Sequence, residues 1–202
     1  MLRPASVASS LGRRNSQGAT MLEVLVAILI LSVGLLGAAS LQSRTQTAEI
    51  EAFQRAQAIV LLQSMVDRIN ANRKNADEYV TAAPLGTGST LNCAAPATVA
   101  LKDQCDWGNE LLGTSETKSA GAVKLGAMID ARGCITNPVT TMPREVVVAV
   151  TWQGLQGTVA PAATSCGQGL YGADDRFRRA VVARITIGCL QNDPTTGLCV
   201  TP

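Results

Sequence analysis

Hydrophobic and polar positions divide the first third of the chain into distinct stretches. Residues 1–18 are mainly polar, with three arginines and no acidic residue, and an uncharged apolar run follows over residues 24–39. Because a helix rises 1.5 Å per residue, about 20 such residues cross the hydrocarbon core of a bilayer. The pattern predicts a membrane helix whose basic flank stays on the cytoplasmic side, so that the rest of the chain is exported.

The same helix is predicted to continue to about residues 70–75 in amphipathic form. Glu51 and Arg55 have the i,i+4 spacing of an ion pair on its polar face. Asn and Lys accumulate near the predicted end, and proline is absent from residue 5 to residue 83. The apolar residues recur every three or four positions and predict the buried face: Ala52, Ala56, Ile59, Leu62, Val66 and Ile69.

Alternating apolar residues predict two β-strands in the second half, at 145–152 and 180–188. A third short strand is expected at 133–136 and a short helix at 106–112. Residues 81–90, 113–124 and 153–179 are expected to be loops. An antiparallel sheet packed against the helix stripe makes an α+β head.

Two pairs of residues in the head admit a functional or a structural interpretation. Trp107 and Trp152 are predicted to pack in the core, since Trp152 continues an alternating apolar face. Arg178 and Arg179 are interpreted as a solvated strand entry balanced by the nearby residues 174–175, both of which are Asp.

Composition excludes several classes of function. The chain has no histidine, the commonest general base at neutral pH and the commonest metal ligand, so no metal site and no enzymatic activity are predicted. The net charge is only +2 and aromatic residues make up 3%, so neither the basic patch nor the stacking platform of a nucleic-acid-binding protein is expected.

All six cysteines lie in the second half, which indicates a disulfide framework in an oxidising compartment. Six cysteines allow 15 connectivities. Pairing of neighbours in sequence and anchoring of the long 153–179 connection favour three bridges: Cys93–Cys105, Cys134–Cys166 and Cys189–Cys199.

Three processing signals compete at the N-terminus. A secretory signal would be cut near the small residues 37–39, giving a mature start near Ser40. A twin-arginine signal on residues 13–14 lacks an adjoining apolar run. A prepilin leader would be cut at Gly18, and the apolar helix would stay on the mature protein. Glu23 favours this last interpretation. Cleavage would free the α-amino group of Ala19, and this ammonium would compensate a carboxylate that is otherwise costly in a membrane.

The sequence over 18–27, GATMLEVLVA, resembles the leader junction of type IV pilins and type II secretion pseudopilins. The resemblance implies that Gly18 precedes the scissile bond, that Ala19 is N-methylated, and that Glu23 is the assembly glutamate. Ala19 stands where the family usually has Phe. The implied fold is pilin-like α+β, a long N-terminal helix packed on a small disulfide-bonded antiparallel sheet. The implied divisions are a leader at 1–18, a membrane or filament helix at 19–42, an amphipathic half at 43–75 and a head at 76–202.

Short motifs in the head are similar to those of minor pilins. They include Asp106-Trp107, Gly133-Cys134-Ile135, Ser165-Cys166-Gly167 and Arg178-Arg179. The resemblance implies a non-enzymatic subunit without cofactors that primes pilus assembly and supports twitching motility and attachment. Its partners would be other minor and major pilins, the prepilin peptidase and the inner membrane, with the assembled pilus at the cell surface and any surface ligand unknown. The alternatives are a type II secretion pseudopilin and, in another class, a secreted enzyme or binding protein with a removable signal.

Overall fold

The computed structural model describes residues 20–113, 117–118, 123–124, 128–139 and 143–189. The chain divides into two compact units, Met1–Thr45 and Gln46–Pro202. Helix α1 comprises Met21–Ala71, so its predicted end near residues 70–75 is confirmed. The finer divisions at residues 18, 42 and 75 stay predictions.

In the first unit, the described residues are the start of α1. From Met21 to Leu41 their apolar side chains are exposed, most of them by half or more. This helix is long and apolar enough to cross a membrane, judged by length and composition. Two of its hydroxyls donate back to the helix backbone: Ser32 Oγ to the Ile28 carbonyl at 2.7 Å and Thr45 Oγ1 to the Leu41 carbonyl at 3.1 Å. Internal pairing of this kind is what a helix in lipid requires.

In the second unit, the end of α1 is followed by short helices and strands. They are a 3₁₀ helix (Arg73–Tyr79), β1 (Leu85–Gly86), α2 (Val99–Leu111), β2 (Thr117–Lys118), β3 (Val123–Lys124), β4 (Arg132–Val139), β5 (Arg144–Gln153) and β6 (Arg178–Ile187). Helix α2 begins seven residues before the predicted start, because Thr98 caps it: its Oγ1 accepts the Leu101 N–H at 3.2 Å. The predicted loops at 81–90 and 113–124 contain the two-residue strands β1, β2 and β3.

Four of the strands form one antiparallel sheet in the order β1-β4-β5-β6, and β2 pairs with β3 separately. Cys134 lies opposite Ala149, and Val146 lies opposite Ile185. The α+β, pilin-like fold class is therefore confirmed, with the sheet packed on one stripe of α1.

The buried stripe of α1 differs from the predicted one. Leu62 and Ile69 are buried as expected, and Val66 packs at the margin of the core, but Ala52, Ala56 and Ile59 are exposed. The structure instead buries Gln54, Ala58, Leu61, Leu62, Met65 and Ile69. The prediction was wrong there because α1 carries apolar residues on two faces, and spacing alone does not identify the one that meets the sheet.

Trp107 and Trp152 both belong to the core, as predicted. Trp107 is fully buried, and its indole Nε1 donates to the Leu61 carbonyl at 2.8 Å, which joins α2 to α1. Its ring also lies against Gly133 of β4: a Cβ there would stand 2.3 Å from the indole. Only glycine allows this close approach of strand and ring.

The structure contains two of the three favoured disulfides, Cys93–Cys105 and Cys134–Cys166. The first joins the segment before α2 to α2 itself. The second ties the β5–β6 connection to β4. Cys189 is also disulfide-bonded, and Cys199, its predicted partner, lies outside the described residues.

Candidate assembly site

The first turn of α1 combines a hydroxyl cap with a carboxylate. The Glu23 N–H donates to Thr20 Oγ1 at 3.3 Å, and the Val24 N–H donates to the Thr20 carbonyl at 3.2 Å. Thr followed by Glu three residues later is the pattern of a capping box, and the helix dipole favours a carboxylate in this turn. Glu23 is exposed, so its carboxylate is open to a further partner. The predicted cleavage residues Gly18 and Ala19 lie outside the described residues.

Within the second unit, α1 presents a second apolar face that the head does not cover. Ile50, Phe53 and Val60 are spaced three and seven residues apart and are 49% to 62% exposed, and Ile59 is 49% exposed. A surface helix normally turns polar residues outwards. Exposed apolar residues at helical spacing indicate a surface that contacts another helix or lipid.

A charged joint holds α2 against the end of α1. Arg68 Nη1 lies 3.0 Å from Asp103 Oδ1, and its Nη2 lies 2.7 Å from Glu110 Oε1. Asp106 is 3.8 Å away, and Ser64 Oγ donates to the other Glu110 oxygen at 3.3 Å. Arg68 of α1 thus lies within ion-pair distance of three carboxylates of α2. This charged joint fixes how the two helices pack together.

The Tyr79 hydroxyl extends this joint to the 3₁₀ helix. It donates to Asp103 Oδ2 at 2.5 Å and accepts from Asn72 Nδ2 at 3.3 Å. The ring is fully buried. Burial, together with the hydrogen bond to Asp103, raises the pKa of Tyr79 to about 12. The hydroxyl therefore stays protonated and donating at every physiological pH.

A second arginine ties the 3₁₀ helix to the sheet. Arg144 of β5 is buried and pairs with Asp77, whose other oxygen accepts from Asn137 Nδ2 of β4 at 2.7 Å. The 3₁₀ helix is therefore held to α2 through Tyr79 and to the sheet through Asp77.

The long β5–β6 connection is held mainly by Arg178. This residue is buried, and its guanidinium donates to the carbonyls of Pro161 at 3.1 Å, Thr164 at 2.7 Å and Cys166 at 3.2 Å. Its Nε lies 3.3 Å from the buried Asp175 carboxylate. The interpretation of Arg178 as a solvated strand entry was therefore wrong: it is an internal clamp.

Arg179 and Glu51 attach the same connection to α1. Glu51 Oε1 accepts the backbone N–H groups of Leu155 at 3.1 Å and Gln156 at 3.2 Å, and it lies 3.2 Å from Arg179 Nη2. Glu51 therefore binds the β5–β6 connection and Arg179, and does not form the predicted pair with Arg55. Gly154 leaves room for this contact, since a Cβ there would meet the Arg179 guanidinium at 2.6 Å.

Because the connection is clamped down, it covers the outer face of the sheet. Val147, Ala149 and Thr151 point away from α1, yet all three are buried. What remains open is a groove of about 470 Å³ between the 81–84 segment and the 162–166 segment. Small side chains and hydroxyls line it, with Arg184 at one margin, where it pairs with Glu145 at 2.5 Å. No cluster of three or more metal-ligating residues occurs in the described part of the chain.

Two family models match the chain. The prokaryotic N-terminal methylation motif matches residues 13–39, and the model of type IV pilin Tt1218 matches residues 40–109. The two matches adjoin, so that together they run from residue 13 along α1 and into α2. They support a type IV pilin, a structural protein. No match was found among curated proteins or among solved structures.

Sequence reasoning located the helix and two of the disulfides but missed the clamps of the head. Arg68, Arg144 and Arg178 act through partners that periodicity does not identify. The one available signal was unusual charge placement: Arg178 and Arg179 stand together at the start of a strand, next to Asp174 and Asp175.

Proposed function

We propose that this chain is a minor pilin, an assembly-priming subunit of a type IV pilus. The observation that carries the proposal is a carboxylate, Glu23, in the first turn of a helix whose next residues, 24–43, are all uncharged and exposed. The methylation-motif match covers this junction. An apolar helix with one acid at its start needs both an apolar environment and a cationic partner.

Cleavage after Gly18 would supply that cation. The prepilin peptidase would free the α-amino group of Ala19, and N-methylation would keep it basic. The ammonium of this chain or of the neighbouring subunit would then compensate Glu23 as the helix leaves lipid for the filament core. A buried charge is tolerated when it is paired and is strongly unfavourable when it is not.

The head would contribute docking rather than chemistry. Its motifs resemble those of the type IV pilus modification protein PilV, a minor pilin. The apolar face at Ile50, Phe53 and Val60 gives α1 a contact surface beyond its membrane part. Before assembly the head would lie in the periplasm, and afterwards in the pilus, where it would support twitching motility and attachment.

Replacing the carboxylate tests the proposal. Glu23→Val is expected to leave the amount of protein in membranes unchanged, since it removes a costly charge from an apolar helix. It is expected to reduce recovery in sheared pili by about tenfold or more, the effect of losing roughly 1.4 kcal/mol of charge pairing. Immunoblots of membrane and sheared-pilus fractions measure both.

Glu49→Val is the matched control, because Glu49 is an exposed acid on the same helix but far from its first turn. It should be recovered in pili like the wild-type chain. Equal recovery of Glu23→Val and wild type would refute the charge-compensation role of Glu23.

A further inference from the structure

We propose that the outer edge of β6 is a docking site for an extended, uncharged segment of a different pilin subunit, which adds a fifth strand to the sheet. The inference rests on the proposed function, because it concerns contacts inside a filament. Among the described residues, β6 pairs with β5 and with no other strand. Its second edge therefore presents backbone groups without a described partner.

The register shows which groups these are. Gly154 N–H donates to the Phe177 carbonyl at 2.7 Å, which makes this a hydrogen-bonded pair at the start of the β5–β6 ladder. Hydrogen-bonded pairs alternate along an antiparallel ladder, so the odd-numbered residues of β6 bond to β5. The even-numbered residues direct their N–H and C=O groups to the open edge: Ala180, Val182, Arg184 and Thr186.

This edge lacks the features with which proteins usually protect an edge strand. The β5–β6 ladder runs through ten residue pairs without a register shift, and β6 contains no proline and no lysine. All three of its arginines are paired: Arg178 with Asp175, Arg179 with Glu51, and Arg184 with Glu145. A long, regular and electrically neutral edge is a ready template for another strand. Its neutrality fits an uncharged occupant.

The opposite edge of the sheet is not available in the same way. Strand β1 has only two residues, both buried. Helix α2 lies beside it, so that a Cβ on Gly108 would stand 3.6 Å from the Gly86 nitrogen. Among the described strands, the sheet can therefore be extended at the β6 edge and not at the β1 edge.

Symmetry argues against a second copy of this chain as the occupant. Antiparallel pairing of two β6 edges needs a two-fold axis perpendicular to the sheet, which would reverse one α1 stripe relative to the other. Parallel pairing would place the two α1 stripes on opposite faces of the joined sheet. Subunits that share one membrane and one filament core carry their helices in the same direction and on the same side of their heads. Neither pairing of two copies allows both, so the occupant is expected to be a segment of another pilin.

Hydrogen exchange on the full chain tests this directly. The chain is compared in sheared pili and dispersed as single chains in detergent, using peptides that cover residues 178–188. The proposal predicts that about four amides, those of the even-numbered edge residues, exchange fast in detergent and about tenfold or more slowly in pili. The odd-numbered amides should be slow in both.

A proline variant tests the same edge in cells. Val182→Pro removes an N–H that the β5 ladder does not use, and it is expected to reduce recovery in sheared pili several-fold. Val182→Thr keeps both the N–H and the β-branched shape, and it should be recovered like wild type. Near-UV circular dichroism of both variants in detergent verifies that the head is folded.

Several results would overturn the inference. Equal exchange of the edge amides in pili and in detergent would show that nothing pairs with β6. Slow exchange already in detergent would show that the chain's own residues or a second copy cover the edge. Normal recovery of a folded Val182→Pro would show that the edge N–H is not used. If the wild-type chain is absent from pili, the proposed function fails and this inference fails with it, whereas unprotected amides in pili defeat the inference alone.

Discussion

At the scale of single residues, the head depends on arginines that hold backbone and carboxylates together from inside. Arg178 is the clearest case, since one buried guanidinium binds three carbonyls of the long connection and faces a buried Asp175. A 24-residue connection would otherwise order only at a large entropic cost. The clamp keeps the outer face of the sheet covered.

Removal of the Arg178 side chain should destabilise the head. Arg178→Met is expected to lower the free energy of unfolding by about 3–5 kcal/mol, because Asp175 and three carbonyls lose their buried partner. Urea denaturation of the detergent-dispersed chain, followed by tryptophan fluorescence, measures the change. Arg176→Met is the control: Arg176 forms an exposed pair with Asp174, so its loss should change stability by no more than about 1 kcal/mol. Equal effects of the two variants would show that Arg178 is not a clamp.

The raised pKa of Tyr79 makes the stability of the head depend on pH in the alkaline range. Its folded pKa of about 12 lies above the ordinary value of 10.0, so the folded state holds the phenol proton more tightly than the unfolded state does. This stabilisation is complete below pH 10 and is lost as the pH rises from about 10 to about 12. Tyr79→Phe should show a weaker loss of stability over that range, measured by urea denaturation at successive pH values. An unchanged alkaline profile in the variant would contradict the assignment.

At the scale of elements, alternation predicted the strands well because their inner faces are uniformly apolar. Val146, Val148 and Val150 form such a face, and β5 extends only one residue beyond the prediction at either end. Helix α1 was predicted from apolar length and the absence of proline. Its buried stripe was not, because Ile50, Phe53 and the core residues make two apolar faces.

The candidate site likewise contains one feature that the local sequence indicates and one that it does not. Glu23 could be singled out from the sequence because its chemistry is local, a carboxylate at the start of an apolar run, and its role in assembly stays a prediction. The Glu51–Arg179 contact was not, since its partners are 128 residues apart and nothing in the local pattern pairs them. Long-range ion pairs of this kind can be identified once the fold is known, but not from the local sequence.

The two described bridges should differ in their effect on stability. Cys134–Cys166 spans 32 residues and Cys93–Cys105 spans 12, so the longer loop restricts the unfolded chain more. Chain entropy predicts that Cys134→Ser with Cys166→Ser costs about 1 kcal/mol more than Cys93→Ser with Cys105→Ser. Single Cys134→Ser should likewise cost more than Cys199→Ser. Thermal unfolding of the full chain in detergent ranks the variants. A reversed order would show that contacts rather than loop length decide.

At the scale of the whole molecule, the chain combines an apolar helix whose side chains are exposed with a head that has its own buried core. The described first unit exposes its apolar residues, and the second buries a compact core of its own. Such a chain needs either lipid or other helices around its N-terminal part. The pilin account gives it both, lipid before assembly and neighbouring subunits afterwards.

The central claim is that the mature protein keeps its apolar helix. Intact mass and N-terminal sequencing of the chain recovered from membranes test it most directly. The pilin account predicts a mature chain that begins at Ala19, carries one N-methyl group and retains Glu23. A chain that begins near Ser40 would show that the apolar helix is a removable signal, and it would contradict the account.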